Sequence, residues 1–201
     1  MPAPQTSEQV MDVACSELNV YLASTSSPAR FDKDGTFQLD PFAPDVPVAL
    51  SNLPRKEQLL SDLERRCGEI FPTALLFVDL DNFKSVNDSK GHLAGDACLV
   101  KVVEILGGVA AMRGKVYRYG GDEFAVVLPN YTTPEAIATA ERIRLEIDQA
   151  NVGETVKVTA SIGIAATDRV GHLAEDLIAK ADQTMYESKQ NGKNKVTGYE
   201  V

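Results

Sequence analysis

Four acidic residues stand at the ends of two strand-like runs. Asp79 and Asp81 close the apolar stretch Leu75-Leu76-Phe77-Val78, with Leu80 between them, and Asp122 and Glu123 follow Gly120-Gly121 and lead into Phe124-Ala125-Val126-Val127-Leu128. A strand holds its end residues rigidly, and carboxylates delivered together at one sheet edge suit a hard divalent cation bound with a phosphate. The two glycines fall between Lys115-Val116-Tyr117 and Phe124. Glycine enters φ > 0 without steric cost, so a tight hairpin turn is expected there. A Gly-Gly hairpin alone carries little, since most such hairpins bind nothing and acids at strand ends are commonly just solvated. Two neighbouring acid-tipped strands change that reading.

The elements that must position these acids can be read along the chain. Residues 6 to 24 predict an amphipathic helix, with Thr6 and Gln9 placed for a capping box and Val10, Ala14, Leu18 and Tyr21 on one face. Such a helix packs on its own domain or serves a dimer. A loop over 24 to 28 is followed by a short hairpin from Phe31 to Phe37, with Asp34-Gly35 near its turn. Asp32 and Asp34 have the spacing of a calcium loop, but its later ligands and closing Glu are missing, so no calcium site is expected. Pro41, Pro44 and Pro47 mark an extended connector, and the main domain is expected over 48–201, with 1–47 as an N-terminal extension.

Within 48–201 the pattern alternates: helix 55 to 68, buried strand 73 to 80, long helix 93 to 111, hairpin 115 to 128, helix 132 to 149 with Pro134 in its first turn, strand 156 to 166, helix 173 to 190 and a last strand 195 to 199. Alternating helices and strands with one hairpin imply an α/β (α+β) domain with a mixed sheet covered by helices.

With 201 residues and 44% hydrophobic content, the chain suits one domain with an appendage and can bury a full core. The net charge of −9 argues against non-specific binding to nucleic acid or an anionic membrane. Cys15, Cys67 and Cys98 are odd in number and lack metal-ligand spacing, which fits a reducing compartment. No signal peptide and no apolar run near 18 residues is evident, so a cytoplasmic protein is expected.

Four segments, in this order, resemble the GGDEF domain family, the diguanylate cyclases. They are Asp79-Leu80-Asp81-Asn82-Phe83-Lys84 with Asn87-Asp88, Gly91-His92 with Gly95-Asp96, Gly120-Gly121-Asp122-Glu123-Phe124, and Ala181-Asp182 with Tyr186, Lys189 and Asn191-Gly192-Lys193-Asn194. The resemblance covers about residues 48 to 199. It implies a palm-like fold that condenses two GTP into cyclic di-GMP with release of two pyrophosphates, using Mg²⁺ or Mn²⁺ and acting as a homodimer. Carried over to this chain, it makes Asp79 a metal ligand with the Leu80 carbonyl beside it. Asp122 becomes a second ligand and the proton acceptor for the attacking 3′-hydroxyl, and Glu123 a further acid at the metal.

The same resemblance assigns the nucleotide. Phe83 and Lys84 would offer backbone N–H groups to the β- and γ-phosphates, and Lys189 and Lys193 would bring charge to the same oxygens. Gly120 and Gly121 would line the substrate, and Leu53 the guanine pocket. Asn87 and Asp96 match the family's guanine contacts. A carboxylate accepts from guanine N1–H and the exocyclic amine together, whereas adenine offers no such paired donors on that edge. His92 matches a Gly-His pair and is given no chemistry.

Four positions depart from the family pattern. Lys193 stands where Arg is common, which keeps the charge and loses bidentate geometry. Val48 replaces the Asp that usually pairs with the Arg before Gly-Gly, here Arg118, which must find another partner or face solvent. The inhibitory product site, Arg-x-x-Asp, would fall on Ala111 and Gly114, so feedback through it is not expected. Two alternatives accompany the cyclase reading: a degenerate module that senses GTP without turnover, and a cyclase making another cyclic dinucleotide.

Overall fold

The structure is a computed structural model and describes residues 29–31, 37–39, 50–67, 72–110, 114–167 and 173–200. The chain divides into two units, Met1–Asn52 and Leu53–Val201. In the first, β1 (Ala29–Phe31) and β2 (Phe37–Leu39) pair antiparallel with Phe31 opposite Phe37, around the stretch where a hairpin is expected. The expected helix over 6 to 24, the Asp32-to-Thr36 turn, the proline connector and Val48 lie outside the described residues.

The second unit contains α1 (Lys56–Cys67), β3 (Thr73–Asp81), α2 (Phe83–Lys90), α3 (His92–Ala110), β4 (Lys115–Arg118), β5 (Glu123–Pro129), α4 (Thr133–Ala150), β6 (Thr159–Thr167), α5 (Ala174–Gln190) and β7 (Val196–Glu200). The five strands form one mixed sheet in the order β4-β5-β3-β6-β7, antiparallel except for the parallel β6–β7 pair. All nine residues of β3 are buried, as a central strand covered on both faces requires; hence its continuous apolar run rather than an alternating one. On one face Leu75 and Phe77 pack with Leu59 and Leu63 of α1 and Leu177, Ala181 and Met185 of α5. α3 and α4 pack together and contribute the buried Leu99, Val102, Leu106, Ile143 and Ile147.

The sequence expectation for 132 to 149 is realised with its cap: the Thr132 amide donates to the Glu135 carboxylate at 2.8 Å, a capping box with Pro134 in the first turn. Three details differ. The eight-residue α2 was not expected. It buries only Phe83 and Val86 and starts after a left-handed Asn82, φ 64°, so no periodicity announces it. β6 begins at Thr159 rather than 156, because Asn151 and Glu154 adopt positive φ and turn the chain first. Neither Gly120 nor Gly121 is left-handed. A Cβ at Gly120 would stand 2.4 Å from Glu123 Oε2, so the first glycine makes room for that carboxylate rather than supplying an unusual φ.

α5 lies unusually close to β6. A Cβ at Gly163 would come within 2.1 Å of the Ala181 carbonyl and the Met185 amide, so the helix rests on bare backbone. One turn apart on its buried face, Thr184 and Ser188 donate to the carbonyls of Ile164 (3.3 Å) and Ile162 (2.9 Å). This docking fixes the helix end that carries Lys189.

A second polar contact ties α1 to β4. Asp62 accepts from Tyr117 Oη and Lys115 Nζ, each at 2.7 Å, and from Gln58 (3.1 Å) and Arg65 (3.2 Å). Burial alone would push its carboxyl up, but the hydrogen bonds from Lys115, Tyr117 and Gln58 outweigh it and hold the pKa at about 2. The same burial and the facing carboxylate push the Tyr117 phenol well up.

Candidate active site

The sheet register brings the acids together. Asp79 stands directly opposite Glu123, the last pair of the β3–β5 ladder, and the Leu80 amide donates to the Asp122 carbonyl at 3.3 Å. Tyr119 and Gly120 amides both donate to the Glu123 carbonyl, which closes the turn. Arg118 completes it: Nε donates to the Gly120 carbonyl at 3.2 Å and Nη2 to the Gly121 carbonyl at 2.9 Å. Arg118 thus finds its partners within its own hairpin.

Electrostatically the site is short of positive charge. Burial raises the Asp79 pKa; the hydrogen bond and charge of Lys189 act against this, and the charges of Asp122 and Asp81 add to it. Glu123 is raised as well, by burial first and then by Asp79, with Lys189 opposing and Asp122 and Asp182 adding. The described cation in contact is Lys189, whose Nζ is 2.7 Å from Asp79 Oδ2. Lys189 therefore sits on the proposed metal ligand, a pairing that the sequence did not announce. Hard carboxylate oxygens carrying surplus negative charge fit a cation such as Mg²⁺. Among the described residues no group of three or more His, Cys, Asp or Glu side chains is disposed to hold a metal ion.

The two aspartates of β3 have different surroundings. Asp81 is buried and accepts from Thr159 Oγ1 (2.7 Å), Ser161 Oγ (2.8 Å) and the Asn194 amide (3.0 Å). Its oxygens are taken up by protein donors, so it acts as a strut, whereas the described partner of the Asp79 carboxylate is the Lys189 ammonium. The sequence gives the spacing of this pair and does not say which is which.

Lys193 follows Gly192 in the turn after α5, and its Nζ donates to Asn82 Oδ1 at 3.1 Å. That contact places it at the start of α2, where Phe83 and the exposed Lys84 contribute first-turn amides that an α-helix leaves without internal partners. Asn87 lies within α2. A Cβ at Gly95 would stand 2.0 Å from Asn87 Oδ1, so α2 and α3 meet there, next in sequence to the half-buried Asp96. The Arg118 guanidinium, destabilised by burial and by Arg55, is favoured by the charges of Asp96 and Asp122; Asp96 and the hairpin are electrostatic neighbours. Leu53 is half-buried, and His92 is exposed at the start of α3. Of the two positions of the expected inhibitory site, Ala111 lies outside the described residues. At Gly114 a Cβ would meet Ala110 Cβ at 2.8 Å and Leu128 Cδ2 at 2.9 Å.

A helix-covered mixed sheet with acids at the ends of two adjacent strands, flanked by lysines and a helix N-terminus, defines a nucleotide-handling α/β domain. A family model described as "Diguanylate cyclase, GGDEF domain" matches residues 49–195, and the chain belongs to that family. It is similar to Diguanylate cyclase A of Treponema denticola, 39% identical over 127 residues that make up 62% of this chain and 34% of that protein. It is also similar to the response regulator PleD of Caulobacter vibrioides, 36% identical over 132 residues, 63% of this chain and 29% of that one. The chain thus spans about a third of these relatives' length. Among solved structures, the GGDEF domain of DgcB from Caulobacter crescentus in complex with c-di-GMP superposes with a TM-score of 0.67 at 32% identity, covering 73% of this chain and 91% of that one. The active GGEEF domain of a diguanylate cyclase from Vibrio cholerae gives a TM-score of 0.67 at 28% identity, covering 73% and 97%. Among the described residues no helix is long and apolar enough to cross a membrane.

Proposed function

We propose that this chain is a diguanylate cyclase that condenses two GTP into cyclic di-GMP and releases two pyrophosphates, with residues 48 to 201 as the catalytic domain. The observation that carries this reading is the Asp79–Glu123 pair, in register on adjacent strands and short of positive charge. Asp79, the Leu80 carbonyl, Asp122 and Glu123 would hold the cation, Mg²⁺ or Mn²⁺, once their carboxylates, not gathered on one point in the structure, turn toward it. When bound, the ion offsets charge on the α-phosphate oxygens and orients the triphosphate.

The remaining work falls to the chain. Amides of Phe83 and Lys84 and the ammonium groups of Lys189 and Lys193 receive the β- and γ-phosphates, Lys189 leaving Asp79 for them. Asn87 and Asp96 hold guanine, Leu53 packs on the base, and Gly120 and Gly121 let the hairpin backbone approach the substrate. Asp122 accepts the proton of the attacking 3′-hydroxyl. Each subunit of a cytoplasmic homodimer presents one GTP, and the facing pair makes both phosphodiester bonds. No nucleic acid or membrane partner is part of this reading.

Feedback at the Arg-x-x-Asp site is absent from this reading: Ala111 offers no guanidinium, and Gly114 has no room even for a Cβ. Added cyclic di-GMP is expected to give no inhibition or purely GTP-competitive inhibition; a non-competitive pattern at low micromolar product would contradict this. Incubation of the purified protein with GTP, ATP and Mg²⁺, followed by mass spectrometry, tests the whole reading. Cyclic di-GMP with pyrophosphate is the expected product. Bound but unconverted GTP would indicate a sensing module, and an adenine-containing dinucleotide a different base choice.

A further inference from the structure

Lys193 stands in a strained turn. Gly192, Lys193 and Asn194 have φ of 102°, 63° and 47°; for the two non-glycine residues each such conformation costs about 1 kcal/mol and persists only where the surroundings impose it. What imposes it converges on Asn194. Its amide donates to Asp81 Oδ2 at 3.0 Å, and its side-chain Oδ1 accepts from Arg144 Nη1 at 2.9 Å. Asn194 also hydrogen-bonds the Asp148 carboxylate. Arg144 is itself fixed, with Nε on Glu141 Oε2 at 2.8 Å and only 17% of its side chain exposed. Asn194 is therefore gripped through its backbone by β3 and through its side chain by α4, and the residue before it carries its ammonium to Asn82 at the start of α2.

We propose that Arg144, acting through Asn194, is a positioning residue for the triphosphate: it holds the turn that delivers Lys193 to the N-terminus of α2. The proposal rests on the reading that Lys193 contacts the β- and γ-phosphates. Arg144 sits 50 residues from Asn194 in sequence and needs no contact with nucleotide. Asp81 supplies the second half of the grip, which accounts for a buried carboxylate satisfied by protein donors next to a site that handles cations.

The test compares binding of a non-hydrolysable GTP analogue with binding of GMP, by calorimetry on the full chain. Arg144→Met keeps the bulk and removes the donors. It is expected to weaken the analogue about tenfold, the worth of one charge-assisted hydrogen bond, and to leave GMP unchanged. Arg144→Lys is expected to recover part of the loss, and Lys193→Ala to give a loss at least as large. The double variant should be no weaker than Lys193→Ala alone, because both act through one contact.

Should Arg144→Met not fold, Asn194→Gly keeps the positive φ without strain and removes the side-chain grip, with the same expected pattern. Equal losses for the analogue and GMP, additive effects in the double variant, or unchanged analogue affinity in Arg144→Met while Lys193→Ala is weakened would each overturn the role of Arg144. Unchanged affinity in Lys193→Ala would instead overturn the underlying assignment of Lys193, and the proposal with it.

Discussion

Asp62 and Asp79 begin from the same position. Their exposures are 7% and 8%, and each accepts an ion pair from a lysine at 2.7 Å, Lys115 for one and Lys189 for the other. Their carboxyls nevertheless move in opposite directions, Asp62 down to about 2 and Asp79 upward. Burial raises both. Around Asp62 it is outweighed, because Tyr117, Gln58 and Lys115 all donate to the ionised form. Around Asp79 a single lysine faces the added repulsion of Asp122 and Asp81. A lysine contact alone therefore does not separate a structural carboxylate from a ligand-ready one; the rest of the shell does. Asp62 has its donors built in, while Asp79 leaves charge for something else to neutralise.

The sharpest way to break this contrast is Asp79→Asn. If Asp79 is the proposed ligand, turnover should fall about a thousandfold, roughly 4 kcal/mol of barrier. Stability should move the other way. A carboxyl whose folded pKa lies above its unfolded value is destabilised in its charged form, so at neutral pH the ionised Asp79 detracts from stability. Removing that charge should leave the melting temperature unchanged or higher. Near-normal product formation, or a large drop in melting temperature, would place Asp79 with Asp62 instead. Asp122→Ala should match the loss of turnover with the fold intact.

Asp62→Ala should show the inverse. It strips a buried acceptor from Tyr117 Oη, and breaking such a pair costs about 3 kcal/mol, on the order of ten degrees in melting temperature for a chain of this size. Turnover per folded molecule should hold. The pH dependence follows from the sign of the shift. The folded carboxyl titrates near 2 and the unfolded one near 3.8, so its stabilising contribution, about 2 kcal/mol, is present above the unfolded value and lost as pH falls toward 2. Denaturation measured from pH 5 to pH 2 should show parent and variant converging; a constant gap would mean that the low pKa is not what stabilises the parent.

Much of this site could be read from residue types alone, and the unread part has a common cause. The run Leu75 to Leu80 announces a buried strand, and Thr132 and Pro134 announce a helix start, because these signals are local. The Asp62–Tyr117 contact joins residues 55 apart, and Arg144–Asn194 joins residues 50 apart; no window on the sequence contains either pair. Gly120 was legible as necessary but for the wrong reason, since what it accommodates is the Glu123 side chain. α2 escaped because a left-handed Asn82 and packing against α3, rather than periodicity, define it. The division of labour between Asp79 and Asp81 depends on Thr159, Ser161 and Asn194, which reach Asp81 only once the sheet has formed.

Asp96 offers the finest test, because it has neither the built-in donors of Asp62 nor the surplus of like charge around Asp79. It is half-buried, one residue after the Gly95 that meets Asn87, and its charge reaches Arg118 in the hairpin. If it selects guanine, its carboxylate accepts from the two adjacent donors on that edge of the base, and adenine would leave it partly unpaired in a site from which water is displaced. Asp96→Ser replaces a two-oxygen acceptor with a hydroxyl that can donate or accept, so either purine finds a partner. Discrimination between GTP and ATP should then relax about tenfold, roughly 1.4 kcal/mol, while stability changes by no more than about 0.5 kcal/mol, as for other substitutions outside a core or network. Competition assays with both nucleotides at equal concentration would measure it. A variant as strict for GTP as the parent would show that Asp96 is held for Arg118 and the hairpin rather than for the base.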